Sequence, residues 1–237
     1  MLTKNITKIK NELTINLDAI IDNWLFLKSK LKKNCICAPV VKADAYGLGA
    51  REISQALSYF GCSTFHVASL EEGIRLREGL DKDARIIVMH DHFFENEEYF
   101  LNYNLTPVLN TQKDTYAWDK FQKIKNRELN AIIQIDTGMN RLGLSIKEFQ
   151  LLIENNTDLI KNNLLYIMSH LSCANHPNDP KNKLQLQRFR RLIKALQVKS
   201  HKPKATLANS SGIFLGPEWH FDMVRPGAAL YGINPIP

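Results

Sequence analysis

Long apolar runs are missing from this sequence. Its longest uninterrupted hydrophobic stretches are only a few residues, whereas a membrane-crossing helix needs about 20. The opening MLTKNITKIKNELTINL carries charge in every short window and lacks the apolar core of a signal peptide, so a cytoplasmic protein is expected. Cysteine is scarce. Cys35, Cys37, Cys62 and Cys173 show neither CxxC spacing nor a histidine at zinc-ligand distance, so no metal site is expected and free thiols in a reducing compartment are. No GxGxxG follows the first strand pattern, which argues against a doubly wound dinucleotide-binding sheet. Low-complexity tracts and interdomain linkers are also lacking.

Charge is present but spread out. The formal net charge is +7 and the pI about 9.2, yet lysine and arginine are scattered among acidic residues with no aromatic-interleaved basic stripe. The densest basic stretch, QLQRFRRLIKALQVKSHKPK, reads as the polar face of one helix. Nucleic acid is therefore not an expected partner, and neither is a membrane. At 237 residues with 44% hydrophobic content, the chain can bury one sizeable core.

Apolar strand patterns alternate with helical ones along the whole chain. A helix is predicted over about Leu17–Lys32, with apolar residues at Leu17, Ile20, Ile21, Trp24, Leu27 and Leu31. Strand patterns follow at CICAPVVKA, TFHVA, RIIVM, LTPVL, LNAIIQID, LLYIMSH, KATLA and near DMVRPGAALYGI. Helical segments between them include LEEGIRLREGL, TQKDTYAWDKFQKIK, IKEFQLLIEN and KNKLQLQRFRRLIKAL. Eight strands separated by helices match a (β/α)8 TIM-type barrel, an α/β fold, filling residues 1–237 as one domain.

Strand alternation gives Lys42 a place in that barrel. In Cys35–Lys42, residues Ile36, Ala38, Val40 and Lys42 share one face. That small, aliphatic set suits a barrel interior and leaves Lys42 at the carboxyl-end layer, where barrel active sites lie. The same alternation groups Asn130, Ile132, Gln134 and Asp136, and also Tyr166, Met168 and His170. A lysine amine among low-dielectric walls is a nucleophile towards aldehydes and a base; it can equally snorkel out of the barrel mouth. His170 alone reads as a core histidine, and Asn209 and Ser210 as a helix cap.

KADAYGLG around Lys42 resembles the cofactor-lysine motif of the alanine racemases, a pyridoxal 5'-phosphate (PLP) family. The resemblance continues in order through VASLEEGIRLRE, IDTGMNRLGL, MSHLSCAN, LANSSG and DMVRPGAALYGI. It implies interconversion of L-alanine and D-alanine through a PLP Schiff base, with D-alanine going to peptidoglycan. Lys42 then resembles the lysine that carries the cofactor and acts as one of two opposed bases. Tyr46 resembles the tyrosine that hydrogen-bonds the cofactor phosphate. Ser210, beside Asn209, resembles the phosphate-binding serine, and Gly227 and Ala228 fall where backbone N–H groups meet that phosphate. Arg225 resembles the arginine facing the pyridine nitrogen, His170 the histidine that hydrogen-bonds it, and Arg141 the arginine near the substrate carboxylate.

Two positions depart from the family pattern. Gln134 stands where many members have a lysine that positions the arginine matched by Arg141, and Leu48 stands where histidine is common. The resemblance also implies a second, mostly β domain after the barrel and a head-to-tail homodimer whose partner supplies a tyrosine as the second base. The sequence stops where that domain would begin, so this chain is expected to be inactive alone. The rival reading is a stand-alone PLP-binding barrel of the cofactor-homeostasis type.

Overall fold

The computed structural model describes residues 12–91, 96–155, 159–196 and 203–236. Eight short strands form its centre: β1 (Ile36–Cys37), β2 (Thr64–Val67), β3 (Arg85–Val88), β4 (Leu105–Leu109), β5 (Ala131–Gln134), β6 (Leu164–Met168), β7 (Lys204–Asn209) and β8 (Met223–Arg225). Their order is β1-β8-β7-β6-β5-β4-β3-β2, and every paired neighbour is parallel. β1 and β2 meet through one parallel bridge, Val40 to His66. Val41 N–H donates to His66 O and His66 N–H to Pro39 O, each at 2.8 Å, which brings the two ends of the sheet together into a barrel.

The alternation read from the sequence sorts the side chains into two cores. Ala38, Ile87, Val108, Ile132, Tyr166, Met168 and Met223 fill the barrel interior. Their strand neighbours, such as Cys37, Ile86, Ile133 and Ile167, face outward onto the helical layer. That layer uses Trp24, Leu27, Leu57, Phe149 and Phe189, all nearly inaccessible to solvent.

Local chemistry sets the helix ends. Asn16 caps Leu17–Ser29 by accepting from Ala19 N–H, and Thr111 and Asp114 form a reciprocal capping box on Gln112–Lys125. The first helix stops at Ser29, short of the expected Lys32, where Lys30 N–H turns back onto Leu27 O and Leu31 N–H onto Lys28 O. Helices at Ala50–Tyr59 and Glu97–Asn102 also pack on the barrel, where the alternation of strands and helices calls for them although no segment was singled out from the sequence. Ile146–Asn155 and Pro180–Leu196 follow the expected patterns closely. Part of the basic stretch, positions 197–202, and most of the charged opening, positions 1–11, lie outside the described residues. No described helix is long and apolar enough to cross a membrane.

Candidate active site

The largest correction concerns Lys42 itself. It does not end a strand. The chain pairs with β2 at Val40, leaves the extended form at Val41 (φ −110°, ψ 23°) and then enters a left-handed turn: Ala43, Asp44, Ala45 and Tyr46 all have φ between +50° and +59°. Each such residue costs about 1–2 kcal/mol relative to the right-handed form, so the turn persists only because its surroundings hold it. Ala43 N–H donates to Glu72 Oε1 at 2.9 Å, Ala45 N–H to Val41 O at 2.9 Å, and Ala50 N–H to Asp44 Oδ1 at 2.8 Å. The turn lifts Lys42 to the rim of the mouth and swings Tyr46 back across it.

Lys42, Tyr46, Gln134, Arg141, His170, Asn209, Ser210, Arg225, Gly227 and Ala228 border one cavity of about 350 Å³ at the carboxyl ends of the strands. The structure therefore brings together every site residue expected from the sequence. Leu48 is elsewhere, packed against the outer core, so its departure from the family pattern does not alter the cavity wall. Asn130, grouped with Gln134 by alternation, borders a different cavity at the opposite end of the barrel. Asp136 works on the backbone: its Oδ1 accepts from the N–H groups of Gly138 and Met139 at 2.8 Å and of Asn140 at 3.1 Å. That carboxylate shapes the loop that carries Arg141.

One side of the cavity is a cradle of donors. Ser210 Oγ accepts from Gly227 N–H at 3.0 Å and from Ala229 N–H at 3.2 Å, which locks the start of the Ser210–Ile213 helix to the loop after β8. Asn209 spends its side-chain oxygen on Gly212 N–H, as a cap. Tyr46 closes the cradle from above. A Cβ added at Gly227 would lie 2.6 Å from Tyr46 Oη, so a larger residue there would push the tyrosine off the cradle. Burial pushes the Tyr46 hydroxyl pKa up, which keeps it a hydrogen-bond donor. Its ring packs 4.9 Å from Tyr231, whose hydroxyl donates to Val40 O at 2.9 Å.

A buried cation forms the other side. Arg225 donates to Thr206 Oγ1 at 2.5 Å, Ser169 O at 2.6 Å and Leu207 O at 3.3 Å, with His170 Nδ1 at 3.5 Å. Burial pushes its pKa down to about 9, which still leaves it protonated at neutral pH. His170 is driven down to about 3, first by burial and then by the positive charges of Arg225, Arg141 and Lys42. It is a neutral imidazole, able to accept from the arginine. Gln134 donates to Leu142 O at 3.1 Å, tethering the loop next to Arg141.

Sequence reasoning missed Thr206, Ser169, Tyr231 and Glu72. Glu72 did carry a signal, since Ser69 and Glu72 have capping-box spacing. The other three make contacts 19 to 191 residues away in the chain.

Comparison with known proteins fits this geometry. The family model described as "Alanine racemase, N-terminal domain" matches residues 15–235. The alanine racemase of Rickettsia africae is 46% identical over 223 residues, which is 94% of this chain and 61% of that protein. The Rhodospirillum rubrum alanine racemase is 44% identical over 223 residues, covering 94% and 59%. The chain thus spans about three fifths of the length of these relatives. Among solved structures, alanine racemase from Bartonella henselae with covalently bound pyridoxal phosphate superposes with a TM-score of 0.88 at 40% identity, over 93% of this chain and 63% of that one. The chain belongs to the alanine racemase N-terminal domain family.

Proposed function

We propose that this chain is the cofactor-holding barrel of an alanine racemase, an isomerase that interconverts L-alanine and D-alanine for peptidoglycan and uses PLP. The observation that carries the reading is the meeting, at one barrel mouth, of an amine, a cradle of donors and a buried cation. Each suits one part of the cofactor. An amine suits an aldehyde, a hydroxyl with backbone N–H groups suits a phosphate, and a guanidinium suits an unprotonated ring nitrogen. PLP, when bound, supplies the aldehyde for covalent attachment and an electron-withdrawing ring that acidifies the proton next to the substrate carboxylate.

Lys42 is then the attachment point and handles the substrate proton on one face. Tyr46, Ser210 and the backbone at Gly227 and Ala228 hold the phosphate, with Asn209 keeping the Ser210 helix start in place. Arg225 donates to the ring nitrogen and disfavours its protonation, and neutral His170 steadies Arg225 as an acceptor. Arg141 faces the substrate carboxylate. A homodimer is part of the same proposal, with the second acid–base group supplied by a partner subunit. Burial pushes the Cys35 thiol up to about 11 and Cys62 up to about 12, so both stay protonated. Such inert thiols suit a cytoplasmic setting.

The test is to add PLP, reduce with borohydride and map the adduct by mass. The expected result is one adduct, on Lys42, that disappears in Lys42→Ala. An adduct on other lysines with Lys42 unmodified refutes the reading.

A further inference from the structure

Glu72 belongs to the helix Leu70–Arg77 after β2 and does not border the cavity. Its carboxylate nonetheless reaches the Lys42 turn. Oε1 accepts from Ala43 N–H, the amide directly after Lys42, at 2.9 Å. Oε2 accepts at 2.7 Å from Ala68 N–H, just past the end of β2. Ser69 Oγ in turn accepts from Glu72 N–H at 3.4 Å and caps the same helix. One side chain therefore ties the first residue of the left-handed turn to the end of β2.

The place matters because β1 and β2 share a single bridge, Val40 to His66, whereas β2 and β3 pair over four residues. This is the thinnest ladder in the barrel, and the lysine leaves the barrel just above it. A left-handed run of Ala43, Asp44, Ala45 and Tyr46 has no local preference holding it. Two charge-assisted bonds from a carboxylate supply that hold from outside the turn.

We propose that Glu72 is a positioning residue for Lys42: by bridging Ala43 N–H and Ala68 N–H it fixes the direction in which the lysine amine enters the cavity. The proposal rests on the reading of Lys42 as the attachment point for PLP. Glu72→Gln keeps the shape but turns an NH2 group towards one of the two amides, so one bond becomes a donor–donor clash. Glu72→Asp keeps the charge but is one methylene too short to span both amides.

The test uses the 237-residue chain and two readouts: hydrogen exchange over residues 42–49, and the rate at which PLP is trapped on Lys42 by borohydride. Losing one charge-assisted bond corresponds to about a tenfold change. Glu72→Gln is therefore expected to exchange Ala43 N–H and to trap PLP about tenfold faster and slower, respectively, than wild type, with Glu72→Asp in between. Ser69→Ala removes the cap on the same helix and is the control for simple loss of stability; it is expected to trap PLP as wild type does. Trapping unchanged in Glu72→Gln, or slowed equally in Ser69→Ala, overturns the inference and leaves the attachment reading intact. Failure of both Glu72 variants to fold also overturns it, because Glu72 is then a structural residue. No adduct on Lys42 in the wild-type chain overturns both.

Discussion

Gly227→Ala probes the cradle most directly. The backbone at Gly227 has φ −120° and ψ −86°, outside the main regions open to alanine, so a backbone cost adds to the steric one whether or not Tyr46 is present. The new Cβ would lie 2.6 Å from Tyr46 Oη and 3.3 Å from Tyr46 Cζ. Tyr46 cannot retreat freely. Its ring rests on Tyr231, which is itself tied to Val40 O, and its backbone sits in the left-handed turn. Forcing one methyl into such a contact costs about 1–3 kcal/mol. Tyr46→Phe deletes the oxygen and leaves the 3.3 Å approach, which a shift of a few tenths of an ångström relieves. Tyr46 Oη makes no hydrogen bond among the described residues, so the phenylalanine variant alone should be nearly neutral. The double variant should then be more stable than Gly227→Ala by about 1 kcal/mol, a coupling measurable in a double-mutant cycle. Urea denaturation of the four proteins without cofactor gives the numbers. Additivity within about 0.5 kcal/mol refutes the contact.

Two further outcomes follow from buried polar groups. His66 is fully buried on the inward face of β2 with neither ring nitrogen paired, and burial followed by the charge of Arg225 drives its pKa down to about 3. A folded pKa below the unfolded value of about 6.5 means the unfolded chain binds the extra proton first. Stability should be fully present above that pH and fall by up to about 1.4 kcal/mol per unit as pH drops from 6.5 towards 3. His170, driven down in the same way, adds an equal slope over the same range, so His66→Leu should remove about half of the total in urea titrations at pH 7, 6 and 5, and an unchanged slope would refute the assignment. Asp136→Ala removes the acceptor for three backbone amides and should open the Arg141 loop by about 1.5–3 kcal/mol. Hydrogen exchange at residues 138–140 reads this directly, and unchanged protection would count against it.

Alternation was enough to predict which strand residues face inward. Ile36 and Ala38, Ile132, and Tyr166 with Met168 went to the barrel interior as the period of two requires. Eight strand patterns spaced by helices likewise gave the barrel, because a parallel strand needs a crossover and the sequence supplies one each time. The residues of the mouth were legible through motif resemblance, each motif being a short local run. Leu48 illustrates the limit of that route, since its position in the motif says nothing of its packing against the outer core.

The left-handed turn was not legible, and its reason is physical. Alanine, aspartate and tyrosine all prefer the right-handed form, so local propensity pointed to an extended strand or an ordinary helix at residues 43–46. What reverses that preference is Glu72, 29 positions away, and the packing of Tyr46 between Gly227 and Tyr231. The four contacts of Arg225 are of the same kind, because Thr206, Ser169, Leu207 and His170 come from two other strand ends. The sequence by itself determined the barrel, the inward faces and the set of residues at the mouth. Only the tertiary structure decided how Lys42 is presented, because that conformation is unfavourable for the local chain and exists only where distant groups meet it.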